Sequence, residues 1–166
     1  MTHNRPTYTL QQIPNGRAGT DATLKIMSGL VKTYKKAPAI RELALRLTRH
    51  LPQKAWLAEV RAIHDFVQND IRYVMDIRGV ETLQTPVQTL RLGQGDCDDK
   101  STLAAALLES INHPTRFRAI GLSPGTFSHV YPETRIGNKW VTVETTEPVD
   151  VGWLPRGVKS SMVRHN

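Results

Sequence analysis

Hydrophobic positions recur with a helical period along much of the first 111 residues. Apolar side chains spaced at i, i+3 and i+4 predict helices at about 21–36, 39–51 and 54–69. Pro38 and Pro52 separate these stretches. A short extended segment over 71–74 and a short helix near 86–92 are expected next. A central helix is then predicted to begin at Cys97, with an apolar stripe formed by Leu103, Ala104, Leu107, Leu108 and Ile111.

The period changes after the stop signal Asn112-His113-Pro114. Short stretches rich in β-branched and aromatic residues predict strands at Arg116–Leu122, 127–136 and 139–145. The last two are expected to form a hairpin across Gly137-Asn138.

The predicted organisation is a single domain over residues 21–148, long enough to bury a core. Within it, residues 21–75 form a helical lead-in and residues 76–148 the core that carries the candidate chemistry. Proline, glycine and few apolar residues predict a mostly irregular arm over residues 1–20, with a short strand at 8–13. Residues 149–166 are predicted to be an irregular basic tail.

Composition narrows the class of protein. The 166 residues are 39% hydrophobic and 22% charged, which is typical of a soluble globular chain. One cysteine excludes an internal disulfide, and no Cys/His cluster has zinc-site spacing. No apolar run approaches the roughly 20 residues of a membrane span, and no signal peptide opens the chain. We therefore expect a cytoplasmic protein, or a virion-associated one if a phage encodes it, with no membrane partner.

The net charge of +7 is concentrated at the two ends. Residues 1–54 hold ten Lys/Arg and two acids (+8), residues 55–151 hold nine and thirteen (−4), and residues 152–166 hold three and none (+3). Basic ends suit nucleic acid, an anionic cell wall or an acidic partner. An ordinary solvated surface accounts for the same charges. Nucleic acid is therefore allowed as a partner but not favoured.

The candidate chemistry starts at the lone cysteine. Cys97 is predicted to lie at a helix N-terminus capped by Asp96, where backbone N–H groups and the helix dipole favour a thiolate. Asp98 and Asp99 oppose that effect, so a base is also needed. His129 and Glu144 lie almost symmetrically about the predicted hairpin turn and can be cross-strand neighbours. This is the geometry of a triad in which an acid orients an imidazole and the imidazole takes the thiol proton.

Two other histidines are given structural roles. His64 lies on the apolar stripe of its predicted helix, which favours a core or helix-surface residue. His113 is expected at the C-terminal turn of the central helix.

Four segments together resemble the transglutaminase-like cysteine superfamily over roughly residues 55–148. They are Gly95-Asp96-Cys97-Asp98-Asp99, Pro114-Thr115-Arg116, Ser128-His129-Val130 and Trp140-Val141-Thr142-Val143-Glu144-Thr145-Thr146. Ile71-Arg72-Tyr73 is also similar to the family's lead-in. The resemblance implies a papain-like α+β arrangement, with the cysteine helix packed on a small antiparallel sheet and an N-terminal helical lobe. Small bacterial and bacteriophage members are the most similar in length.

The resemblance also implies roles for individual residues. Cys97 would be the nucleophile, His129 the general base and acid, and Glu144 the third member, where the family most often has aspartate. Glu147 is the competing acid. Trp140 is expected to pack on the sheet. The family implies no obligatory cofactor, and no EF-hand-like loop indicates calcium.

An oxyanion hole needs donors as well. The Cys97 backbone N–H is the natural first one. Gln94 is a candidate for the second, with Gln88 and Gln84 as alternatives.

The expected function is cysteine-dependent acyl chemistry on an amide of a protein or peptide, cell-wall peptide among them. Water resolving the thioester gives a peptidase or amidase, and an amine gives an acyltransferase. For small microbial members of this superfamily, we expect hydrolysis rather than cross-linking. Two other functions stay open: a catalytically silent interaction or assembly protein, such as a phage component, and a nucleic-acid binder that uses the basic ends. The oligomeric state is not predicted.

Overall fold

The computed structural model describes residues 13–76 and 82–166 and has the α+β architecture expected from the sequence. Within these residues, no helix combines the length and apolarity needed to cross a membrane. The helices are α1 (Gly16–Tyr34), α2 (Pro38–Thr48), α3 (Trp56–Asp70), α4 (Pro86–Leu92) and α5 (Cys97–Ser110). The strands are β1 (Arg72–Tyr73), β2 (Gln94–Gly95), β3 (Thr115–Gly121), β4 (His129–Ile136), β5 (Lys139–Thr142) and β6 (Ser160–His165).

Helix α5 is the centre of the molecule. Helices α1 to α4 pack around it, and β3 and β4 pack on it as well. The single apolar stripe predicted for α5 was too narrow, because every residue from Asp99 to Leu108 is buried. Three consecutive alanines, Ala104 to Ala106, allow neighbours to approach on several sides of the helix. One core cluster lies between α5 and α2/α3, and a second lies between α5, α1 and the sheet.

The larger sheet has the order β5-β4-β3-β6, with every neighbouring pair antiparallel. The predicted β4–β5 hairpin is confirmed, with Ile136 opposite Lys139. Gly137 occupies the turn with φ 59°, a left-handed conformation that glycine adopts without steric cost. This tight turn fixes which residues of the two strands face each other.

Both predicted irregular ends need correction. Strand β6 lies inside the tail predicted to be irregular, and its six residues pair with β3 from Gly121↔Ser160 to Arg116↔His165. Its formation depends on the open edge of β3, which a local pattern does not reveal. Helix α1 begins at Gly16, five residues earlier than predicted. Residues 1–12 of the arm, with most of the strand proposed at 8–13, lie outside the described residues.

The predicted extended segment after α3 forms a two-residue parallel pair. Arg72 lies opposite Gln94 and Tyr73 opposite Gly95, and the Val74 N–H donates to the Gly95 carbonyl at 3.0 Å. The pair therefore places the end of α3 beside the residues that immediately precede Cys97.

Candidate active site

Cys97 is the first residue of α5, and the local sequence accounts for this position. The Asp96 carboxylate accepts hydrogen bonds from the backbone N–H groups of Asp98 at 3.0 Å and Asp99 at 3.1 Å, as an N-cap does. A Cβ atom on Gly95 would lie 2.5 Å from the Asp99 Cβ, so the chain enters the helix through a gap that only glycine fits.

The Cys97 thiol lies against the start of β4. Its Sγ accepts a hydrogen bond from the Val130 backbone N–H, and its S–H donates to the Asp98 carboxylate at 3.5 Å. One turn further along α5, Ser101 Oγ donates to the Val130 carbonyl at 3.1 Å. Helix α5 therefore forms hydrogen bonds with both the N–H and the carbonyl of Val130, the residue that follows His129.

The thiol is held in its neutral form at rest. Burial raises the pKa of Cys97, and the negative charges of Asp98 and Asp96 raise it further. The Val130 N–H lowers that pKa but does not offset the other effects. The helix N-terminus alone therefore does not produce a thiolate, and proton transfer to a base is needed for the sulfur to attack.

The imidazole of His129 is bound to the carboxylate of Glu144, with 2.6 Å between Nε2 and Oε2. The strand predicted over 139–145 is shorter than expected: β5 ends at Thr142, opposite Glu133, so Glu144 lies just beyond the strand. Its side chain reaches the imidazole from the segment that follows β5. The contact leaves Nδ1 as the nitrogen that can exchange a proton with a thiol.

Electrostatics strengthen this pair. Burial lowers the pKa of His129, but the hydrogen bond and charge of Glu144 outweigh it, so the pKa is raised. Burial raises the pKa of Glu144, but His129 and the backbone N–H groups of Thr146 and Glu147 outweigh it, so that pKa is lowered. Both shifts favour an imidazolium beside a carboxylate.

The structure also separates the two candidate acids. Glu144 is completely buried with its carboxylate on His129. Glu147 is exposed and contributes its backbone N–H to Glu144 Oε1 at 3.2 Å. Glu144, rather than Glu147, is therefore in contact with the imidazole.

Comparison with known proteins identifies the family. The profile of the transglutaminase-like superfamily matches residues 41–145, more than half of the chain. The chain belongs to the transglutaminase-like superfamily. At the level of the family, this supports a cysteine hydrolase or acyltransferase. None of the curated proteins compared with the chain matches it.

Two solved structures share this transglutaminase-like fold. One is a candidate cysteine protease from Cytophaga hutchinsonii, with 19% identity and a TM-score of 0.57; the match covers 85% of this chain and 52% of that one. The other is a candidate protease from Parabacteroides distasonis, with 13% identity and a TM-score of 0.62; the match covers 87% and 32%. Identities this low establish the fold alone. The chain spans about half of the first relative and a third of the second.

The second oxyanion donor of this transglutaminase-like site stays a prediction. The Gln94 amide oxygen accepts from Arg72 Nη2 at 2.5 Å, and the Gln88 N–H donates to Thr85 Oγ1 at 3.2 Å in the cap of α4. The Gln84 N–H donates to the Asp99 carboxylate at 2.7 Å. The Gln88 and Gln84 donors are backbone N–H groups and Gln94 accepts through its oxygen, so none of these three bonds uses a glutamine side-chain N–H.

Tyr73 is a neighbour of the site that sequence reasoning quoted but gave no role. Its side chain is 43% exposed, and its strand partner Gly95 lies two residues before Cys97. Burial raises the pKa of Tyr73, a thiolate at Cys97 would raise it further, and the charge of Asp96 adds to the effect. Its presence in the Ile71-Arg72-Tyr73 lead-in was the signal available in the sequence.

The two histidines expected to be structural lie in the helical layer. His113 Nε2 contacts Glu59 Oε2 at 2.7 Å, and His64 is buried with Nε2 at 2.7 Å from the Glu144 carbonyl. Over residues 13–76 and 82–166, no group of three His, Cys, Asp or Glu side chains is arranged to hold a metal ion.

Proposed function

We propose that this protein is a cysteine-dependent hydrolase of amide bonds, a peptidase or amidase, with Cys97 as nucleophile, His129 as general base and acid, and Glu144 as the orienting acid. The observation that carries the proposal is the 2.6 Å contact between His129 and Glu144 next to Val130, whose N–H binds the Cys97 sulfur. The superfamily assignment supports the same chemistry.

In the first half of the reaction, the Cys97 proton moves to His129 Nδ1 as the sulfur attacks the amide carbon. The carbonyl oxygen becomes an oxyanion, for which the Cys97 backbone N–H is a natural donor. The intermediate then collapses: the C–N bond breaks, His129 gives its proton to the departing amine, and a thioester remains.

In the second half, water gives a proton to His129 and its oxygen attacks the thioester carbon. The C–S bond breaks, the acid is released, and the proton returns to Cys97. A primary amine in place of water would give acyl transfer. Glu144 keeps its charge throughout and stabilises the imidazolium.

The raised pKa of the thiol fits a mechanism in which proton transfer accompanies attack. A preformed thiolate would lie beside Asp98 and Asp96, which oppose a further negative charge. A base raised in pKa by Glu144 accepts the proton more readily.

The decisive experiment is the pH dependence of Cys97 alkylation by iodoacetamide in wild type and His129→Ala. We expect labelling to slow about tenfold or more in the variant, since general base catalysis contributes about 10²–10⁴-fold. His113→Ala is the matched control and should label like wild type. Equal rates in wild type and His129→Ala would reject the activated pair.

Substrate and acceptor are tested once labelling succeeds. Peptide amides, including cell-wall peptides, should yield a new carboxylate and a free amine. Addition of a primary amine should leave the product unchanged if water is the acceptor. Incorporation of the amine would instead identify an acyltransferase.

A catalytically silent interaction protein is the second candidate, and the neutral resting thiol bound to Asp98 favours it. It predicts that Cys97 titrates at or above about 8.5 in both wild type and His129→Ala. A folded Cys97→Ala protein would then keep its biological activity. Loss of that activity would argue against this candidate.

A further inference from the structure

The last two turns of α3 bind the backbone of the segment that carries the triad acid. This segment, Glu144–Val149, is called the acid segment below. His64 Nε2 lies 2.7 Å from the Glu144 carbonyl, and Gln68 Nε2 lies 2.6 Å from the Glu147 carbonyl and 3.0 Å from the Val149 carbonyl. Carbonyl oxygens only accept, so the His64 ring and both amide hydrogens of Gln68 are the donors.

The donor assignment also explains a close approach between the two side chains. Gln68 Nε2 lies 3.3 Å from His64 Nε2. Both nitrogens already donate to the acid segment, so this is a packing contact. His64 and Gln68 are one helical turn apart and form a single donor surface facing the acid segment.

Helix α3 is in turn attached to the nucleophile helix through Lys100, one turn after Cys97. Lys100 is 2% exposed, and its Nζ donates to the Ile71 carbonyl at 2.7 Å and to the Gln68 carbonyl at 3.3 Å. These carbonyls lie at the C-terminal, negative end of α3, which suits a cation. The Gln68 carbonyl therefore accepts a hydrogen bond from Lys100 of α5, while the Gln68 side chain donates to the acid segment.

The acid segment in turn holds the Glu144 carboxylate. Glu144 Oε1 accepts the N–H groups of Thr146 at 2.7 Å and Glu147 at 3.2 Å, while Oε2 contacts His129. Gln68 fixes the backbone at Glu147, and His64 fixes it at Glu144 itself. A shift of this backbone would move the carboxylate away from the imidazole.

We propose that His64 and Gln68 are positioning residues: they hold Glu144 against His129 and, through Lys100, fix that pair relative to Cys97. The proposal rests on the function proposed above. A role limited to folding would lower stability when these bonds are removed and would leave the titration of His129 unchanged.

The test compares variants that remove or retain the donors. His64→Leu and Gln68→Met remove them, whereas His64→Gln places an amide N–H near the position of Nε2. The readouts are the pKa of His129 by NMR titration and the rate of Cys97 labelling, with Glu144→Gln as the benchmark. In the first two variants we expect the His129 pKa to fall toward about 6.5. Labelling should slow by up to about 100-fold, the cost of misplacing a catalytic group by about 1 Å.

His64→Gln should keep the wild-type values of both readouts. Thr48→Ala is the control, because it removes a buried side-chain hydrogen bond of 2.8 Å that lies entirely within α2, from Thr48 Oγ1 to the Ala44 carbonyl. It should lower the midpoint of thermal unfolding without changing the His129 pKa. If His64→Leu does not fold, Gln68→Met decides, since Gln68 is only half-buried.

A folded Gln68→Met protein with the wild-type His129 pKa would overturn the inference. That outcome is distinct from failure of the proposed function. If wild-type labelling does not depend on His129, the function fails, while the His129 pKa in Gln68→Met still reports whether α3 positions Glu144.

Discussion

Asp99 offers a sharp test of the electrostatics at the start of α5. Asp99 is 1% exposed, and its carboxylate accepts hydrogen bonds from the backbone N–H groups of Gln84, at 2.7 Å, and Asp96. Burial raises the pKa of Asp99 to about 7; the Gln84 N–H lowers it in part, and the charge of Asp96 raises it again. The native protein therefore holds a proton here that the unfolded chain releases near pH 4.

The magnitude follows from proton linkage. The interval from 3.8 to about 7 corresponds to ~4 kcal/mol of unfolding free energy, at 1.36 kcal/mol per pKa unit. Because the folded pKa is raised, this contribution is complete below about pH 4 and is lost as the pH rises through 7. Asparagine stays neutral at every pH, and its side-chain oxygen can still accept from Gln84. Asp99→Asn should therefore equal wild type near pH 4 and exceed its stability by up to ~4 kcal/mol at pH 8.

The assay is urea unfolding followed by circular dichroism at intervals from pH 4 to pH 8, for wild type and Asp99→Asn. Subtracting the two curves removes contributions that both proteins share, such as that of His129. Asp150→Asn, at an exposed loop position, is the control and should give no difference. A constant difference between wild type and Asp99→Asn across this range would refute the buried-proton account.

Two further changes test the architecture around the site. Gly95→Ala places a Cβ 2.5 Å from the Asp99 Cβ, so we expect the free energy of unfolding to fall by about 1–3 kcal/mol. Gly29→Ala is the control, because a Cβ there meets nothing within 4 Å, and its free energy of unfolding should not fall. Chemical denaturation of both variants measures the two values. Deleting residues 158–166 exposes the edge of β3, so size-exclusion chromatography should show more self-association than in the full chain. An unchanged elution volume and unchanged stability would contradict the role given to β6.

The parts of the site that local chemistry determines were predictable. Asp96 at an N-cap position marks the start of α5, and Gly137-Asn138 marks the turn that pairs β4 with β5. These signals lie within a few residues of the features that they control. They were sufficient to predict that His129 and Glu144 lie close together, although Glu144 contacts the imidazole from just beyond the end of β5.

The parts of the fold and of the site that depend on distant segments were not predictable from the sequence. Lys100 is a lysine in a helix and suggests a solvent-facing position, yet it is buried because the carbonyl end of α3 supplies its acceptors. Strand β6 contributes one buried apolar side chain, Met162, and forms because β3 offers an unpaired edge. Neither α3 nor β3 is near its partner in the sequence, so no local pattern carries this information.

The two-residue turn at Gly137-Asn138 constrains more than the hairpin. Successive side chains of a strand point to opposite faces of the sheet, so a shift of one residue in β4 against β5 would turn His129 away from Glu144. The length of the Gly137-Asn138 turn must therefore be kept for His129 to face Glu144, just as the two side chains themselves must be kept. A single inserted residue here, 40 positions from Cys97, should be as harmful to its chemistry as the loss of His129 itself.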